Sequence, residues 1–429
     1  MMSNIRRRRK KEKTHRTGNS SPPFSLLIKP AGPDCNLRCR YCFYLPKLQL
    51  FGDEAAHRMS DEVLEQLVRS YMSTQQPAYV FNWQGGEPTL MGLDFFKKAL
   101  ELQRHYAPAG STVTNTIQTN GTLIDREWAE FIAANRILVG VSLDGPKDVH
   151  NAYRVDAAGS GTFDRVMAGI EHLRSSGAEF NILTMITSHS VDRAQDIFEF
   201  FWQNGFNYQQ YIPCVEFDEE GKPLEYTVSA MDYGRFLVDL FDAWYPKRVR
   251  RVSIRNFDNV VNFLAAGEYS SCTMRGKCDQ YFVVEHNGNV YPCDFFVEPE
   301  WKLGNIMEDE WAHFVRSPLY HRFGAMKSRW NQTCNECPYL HLCSGDCPKM
   351  RYAAGRDPSS LSYLCSGHRH FFDNTIDKFM DLSRGVQHNL RTNQPGFTGV
   401  GMPPYKLSPE DPCFCGSGKK LKNCHGVVD

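Results

Sequence analysis

The chain has no net charge, no long hydrophobic run and no internal repeat. Its 429 residues carry 49 basic and 49 acidic side chains. A balanced chain lacks the field that draws in polyanions, so no nucleic-acid partner is expected. No stretch approaches the roughly 18 apolar residues of a membrane span. The early apolar run at 24–28 is too short for the core of a secretory signal. A cytoplasmic, reducing setting is expected, where spaced cysteines read as metal ligands rather than disulfides. The length suits one large domain with one or two small ones.

Cysteine is plentiful: of 15, three, eight and three fall into separate sets and one, Cys214, stands apart. The first set, Cys35-x3-Cys39-x2-Cys42, is one thiolate short of closing a tetrahedral zinc site or a four-iron cluster. A site left one ligand short keeps a metal position open for chemistry. The zinc alternative needs a fourth ligand, and the adjacent Asp34 is a hard one. The second set is Cys272, Cys278, Cys293, Cys334, Cys337, Cys343, Cys347 and Cys365. Eight ligands make two closed four-ligand sites, with two zinc ribbons as the plain alternative. The third set, Cys413, Cys415 and Cys424 with His425, is a closed zinc set. Cys214 ends an apolar strand and reads as a small core residue.

Around these sets the pattern alternates. FSLLIK, YVFNW, VTNTIQT, RILVGVSL, FNILTMIT and YQQYIP read as buried strands. Helical patterns lie between them, near 93–106, 125–135, 162–176 and 191–204, and Ser60 is placed to N-cap another. Alternation of this kind predicts βαβ units and a parallel sheet, either a partial barrel or a doubly wound sheet. Residues 1–22 form a basic arm and 23–269 the α/β domain. From 270 to 384 cysteines crowd, a hairpin is signalled by Asn287-Gly288, and an amphipathic helix closes the module. Residues 385–408 read as a linker and 409–429 as the small zinc module.

Ligands of parallel sheets bind beyond the carboxyl ends of the strands. Three segments fall there: Gln84-Gly85-Gly86-Glu87-Pro88 after YVFNW, Ser142-Leu143-Asp144-Gly145 after RILVGV, and Arg154 soon after. Glycine lets backbone approach a ligand, a serine hydroxyl can bond one or cap a turn, and a guanidinium suits a carboxylate.

The first cysteine set, with its following aromatic, resembles the signature of radical S-adenosylmethionine (SAM) enzymes. That resemblance implies a partial (β/α)6 barrel and a [4Fe-4S] cluster on Cys35, Cys39 and Cys42, with SAM chelating the open iron. It also implies SAM contacts from Tyr41, Gly86, Ser142, Arg154 and Val215. The second set resembles the SPASM domain, which implies two auxiliary [4Fe-4S] clusters and thus three in all. One would use Cys272, Cys278, Cys293 and Cys347; the other Cys334, Cys337, Cys343 and Cys365. The third set resembles the SEC-C zinc motif.

The segments CNLRCRYCFYLP, QGGEPTLMGLDFF, QTNGTLID, VGVSLDGP, YPCDFF and LGNI are together similar to the anaerobic sulfatase-maturating enzymes. This resemblance implies oxidation of a cysteine or serine in a C/S-x-P/A-x-R motif of a sulfatase to Cα-formylglycine. Asp294 would be the catalytic base, and flavodoxin or ferredoxin would be the electron donor. Two other readings stand beside it: a SPASM maturase of another ribosomal peptide, and a non-catalytic multi-zinc interaction protein.

Overall fold

A computed structural model of the chain describes residues 22–52, 56–249, 251–355 and 357–391. The basic arm and the third cysteine set, Cys413, Cys415, Cys424 and His425, lie outside the described residues. Strands β1 (Ser25–Lys29), β2 (Tyr79–Trp83), β3 (Val113–Thr119), β4 (Leu138–Ser142), β5 (Phe180–Ile186) and β6 (Tyr208–Pro213) pair in chain order, all parallel. Helices Asp61–Met72, Gly92–Tyr106, Arg126–Ala134, Phe163–Ser175 and Ala194–Gln203 connect them. The expected partial (β/α)6 order is therefore present. Ser60 caps the first of these helices, its hydroxyl accepting from the Val63 amide, with Asp61 and Glu62 at the positive end. Leu26, Ile28, Phe81, Val139, Val141 and Ile182 are fully buried in the core between sheet and helices.

The sheet does not stop at residue 269. A short β7 (Ser253–Ile254) joins β6 at one edge. At the other, β8 (Tyr281–Glu285) pairs in parallel with β1, placing Lys29 opposite Glu285. The signalled hairpin forms between β8 and β9 (Asn289–Tyr291), with Gly288 at φ +82°, and β10 (Gly304–Asn305) completes a ten-stranded sheet. Local pattern predicted the hairpin, but not that its first strand would extend the sheet of the α/β domain.

The closing helix is longer than its apolar stripe suggested, running Cys365–Arg391. It continues past 385 because Gln387 still has partners, donating to the carbonyls of Leu264 and Ala265. It packs on helices Ala230–Trp244 and Arg255–Ala266, with Phe379 and Phe241 ring centroids 4.7 Å apart. The crossing is close: a Cβ on Gly367 would stand 1.9 Å from the Ala230 carbonyl oxygen. Gly367→Ala is expected to destabilise the protein by roughly 1–3 kcal/mol through overpacking, read as a lowered midpoint in chemical denaturation.

Candidate active site

The Cys35–Cys42 loop leaves the carboxyl end of β1 and is pinned on two sides. The amides of Arg38 and Arg40 donate to the carbonyls of Val155 (2.8 Å) and Tyr153 (3.0 Å). On the other side the amides of Gly86 and Glu87 donate to Gly32 and Asp34, both at 2.8 Å. Gly86 is required by that approach, since a Cβ there would stand 2.0 Å from the Asp34 oxygen. Glu87, fully buried, ties the loops together. Its carboxylate accepts from the Thr89 hydroxyl (2.6 Å), the Thr119 hydroxyl (2.8 Å) and the Asn120 amide (2.8 Å). Asn120 in turn lies 3.7 Å from the Cys35 sulfur.

Burial, with Glu87 and the neighbouring cysteines adding to it, raises the Cys35 thiol to about 12, and burial with Cys42 raises Cys39 to about 11. Without a cation the thiols stay protonated, so cation binding must release protons. Among the described residues, no group of three or more His, Cys, Asp or Glu side chains is set to hold a single metal ion. The three thiols nevertheless lie close enough to act on one another.

Of the positions expected to meet SAM, Tyr41 and Arg154 form one unit through Asp144. The Tyr41 hydroxyl donates to the Asp144 carboxylate, Arg154 pairs with it at 3.0 Å, and the guanidinium lies 5.4 Å from the Tyr41 ring centre. Ser142 accepts from Gln118 at 3.2 Å. Val215 is buried beside Cys214, just past β6. Asp144 was visible in the sequence only as part of a turn, and its pairing with a residue ten positions on is a product of the fold.

In the second set, Cys278 lies just before β8 and Cys293 just after β9, flanking the strands that extend the sheet beside β1. Thiols that act on each other separate into two groups: Cys272, Cys278, Cys293 and Cys347, and Cys334, Cys337, Cys343 and Cys365. Asp294 follows Cys293 and is buried, where its carboxylate forms an ion pair with Lys29, the last residue of β1. The Lys29 ammonium sits 3.2 Å from the Tyr44 ring centre, and the Tyr44 hydroxyl donates to Glu285 at 2.6 Å. Phe43 meets Phe295 at 4.9 Å between centroids. Burial pushes Glu285 up to about 7, so it is partly protonated at neutral pH and the single lysine charge goes mainly to Asp294. Sequence reasoning missed Lys29, Tyr44 and Glu285, and had Glu87 only as part of the glycine-rich segment after β2. Their only signal was polar residues inside otherwise apolar strand-end segments.

Parallel strands carrying a three-thiol loop at their carboxyl end, joined to two further thiol groups, define a radical SAM protein with an iron-sulfur accessory domain. Family models agree: Radical SAM superfamily at residues 30–201, the SPASM iron-sulfur cluster-binding domain at 265–338, and the SEC-C motif at 411–426. More particularly, the chain belongs to the anaerobic sulfatase-maturating enzymes. It is 38% identical over 370 residues to a cysteine-type member from Clostridium perfringens, covering 85% of this chain and all of that one. It is also 38% identical to a serine-type member from Bacteroides thetaiotaomicron, covering 84% and 91% of the two chains. Native anSMEcpe with bound AdoMet and Cp18Cys peptide superposes with a TM-score of 0.79 at 37% identity, over 85% of this chain and 100% of that one.

His150 offers a test of the packing beneath Asp144. It is fully buried, its Nε2 lies 3.0 Å from the Thr162 hydroxyl, and burial lowers its pKa to about 4. The unfolded chain takes up a proton near pH 6.5 while the folded protein refuses it until about 4. Stability is therefore full above pH 6.5 and falls toward pH 4, by about 3 kcal/mol from this group. The His150→Gln variant should show a shallower decline over that window in denaturation midpoints.

Proposed function

We propose that this chain oxidises a cysteine or serine of a sulfatase polypeptide to Cα-formylglycine, within a C/S-x-P/A-x-R motif. The observation that carries this reading is the Lys29–Asp294 ion pair, which holds a carboxylate between the first cysteine loop and Cys293. When bound, a [4Fe-4S] cluster and SAM supply a 5′-deoxyadenosyl radical that takes one hydrogen atom from the target Cβ. Cys35, Cys39 and Cys42 would hold that cluster. Tyr41, Gly86, Ser142, Arg154 and Val215 would line the SAM site, with Asp144 fixing the Tyr41 and Arg154 side chains.

Oxidation also requires loss of a proton and an electron. Asp294 is the candidate base for the thiol or hydroxyl proton, and the ion pair with Lys29 orients it. Cys293 places the second cysteine set beside the same carboxylate, so proton and electron can leave from one place. The two thiol groups support two auxiliary [4Fe-4S] clusters, three in all. A thioaldehyde formed from cysteine would then hydrolyse to the aldehyde. A flavodoxin or ferredoxin would be the electron donor, in the cytoplasm. No described helix is long and apolar enough to cross a membrane. The division at 23–269, 270–384 and 409–429 is proposed as a functional one, with 385–391 belonging to the closing helix rather than to a linker, the last segment binding zinc through Cys413, Cys415, Cys424 and His425.

Anaerobic incubation of the reduced enzyme with SAM and a motif peptide should yield 5′-deoxyadenosine and the aldehyde mass. Finding neither product would sink the proposal. Asp294→Asn should keep SAM cleavage while lowering peptide oxidation by about 100-fold or more, whereas equal loss of both would remove Asp294 as the base. Deleting residues 409–429 should remove one zinc per chain by elemental analysis and leave peptide oxidation unchanged.

A further inference from the structure

Two buried cations lie between the two thiol groups of the second set. Lys327 has no solvent exposure, and its ammonium donates to the carbonyls of Thr273 (2.8 Å), Ser344 (3.4 Å) and Asp346. These residues adjoin Cys272, Cys343 and Cys347, so one charge rests against the backbone of both groups. Arg351, 1% exposed, donates to the carbonyls of Gly345 (2.6 Å), Ser344 (3.0 Å), Lys327 (3.0 Å) and Pro358 (3.0 Å). The turn that presents these acceptors is held against ordinary preference: Ser344, Gly345 and Asp346 all have positive φ, at 51°, 69° and 64°.

Among the described residues neither cation forms an ion pair. The nearby Asp346 carboxylate is taken by Ser362 (2.6 Å) and His368 (3.4 Å) instead. Carbonyl dipoles solvate a buried ammonium, but they leave its charge in place. The turn that both cations bond lies between Cys343 of one thiol group and Cys347 of the other.

We propose that Lys327 and Arg351 are positioning residues that raise the reduction potentials of both auxiliary clusters. The proposal rests on the reading that these eight cysteines hold clusters. A four-thiolate [4Fe-4S] cluster is already an anion when oxidised, and one-electron reduction adds one further negative charge. A fixed cation in a low-dielectric interior stabilises the reduced form more than the oxidised form. Each cluster then accepts the electron released by substrate oxidation more readily, and the shared lysine acts on the two together.

The test is a redox titration of the anaerobically reconstituted full-length enzyme, followed by electron paramagnetic resonance with iron content measured in parallel. Lys327→Met should lower both auxiliary midpoint potentials by at least tenfold in the reduction equilibrium, which is about 59 mV for one electron. Lys327→Arg should hold them near wild type, and Arg351→Gln should lower both as well. Full iron content with unchanged potentials in Lys327→Met overturns the proposal. If Lys327→Met cannot take up iron but Lys327→Arg can, Arg351→Gln carries the test, lowered potentials supporting the proposal and unchanged ones overturning it. If both fail alike, Lys327 is a packing residue and the proposal falls. Wild-type enzyme without auxiliary-cluster signals would instead overturn the cluster reading, and this inference with it.

Discussion

Lys29 and Asp294 meet where almost no water reaches, and much of the architecture follows from keeping that pair together. The lysine ends β1, six residues before Cys35, and the aspartate follows Cys293. Parallel pairing of β1 with β8 brings these two chain segments side by side, although they are far apart in sequence. Removing one partner of such a pair leaves an uncompensated buried charge, at a typical cost of 3–5 kcal/mol. Tyr44 and Glu285 complete the setting: the ring receives the ammonium on its face and the hydroxyl bonds the second carboxyl. With Glu285 near 7, the site can hold one lysine and two carboxyl groups without a full second negative charge.

The same constraint governs the first loop. Cys35 and Cys39 are held in surroundings that disfavour free thiolates, and the loop that carries them is fastened by backbone hydrogen bonds on both sides. Glu87 fastens the neighbouring strand ends with a carboxylate whose acceptor capacity is spent on Thr89, Thr119 and Asn120. A rigid frame of this kind fixes where three sulfurs point before any cation arrives, which limits the ordering that ligand binding must impose.

The six parallel strands were legible in the sequence because each is a short apolar run ended by turn residues, and period and length settle such segments. The cysteine sets were legible because spacing survives without knowledge of the fold. The addition of β8 to β1 was not legible: it is a pairing across more than 250 residues, and an apolar strand says nothing about which edge it joins. Buried charges were the least visible. Lys29, Lys327 and Arg351 read as surface residues by type, and only burial shows that they are not. The resemblance singled out Arg154, but its Asp144 partner became apparent only through the fold.

A neutral chain can still be strongly polarised inside. The 49 basic and 49 acidic residues balance overall, yet the interior near the second cysteine set holds Lys327 and Arg351 against carbonyl oxygens, with the one nearby carboxylate, Asp346, bonded to Ser362 and His368. An interior with unmatched positive charge is unstable unless anions are meant to sit there. On the proposed reading, the eight cysteines of the second set would supply such anions once they ligate clusters. On that reading the cations and the sulfurs form one electrostatic unit, in which ligated clusters would give the cations the counter-charge that Asp346 alone does not supply.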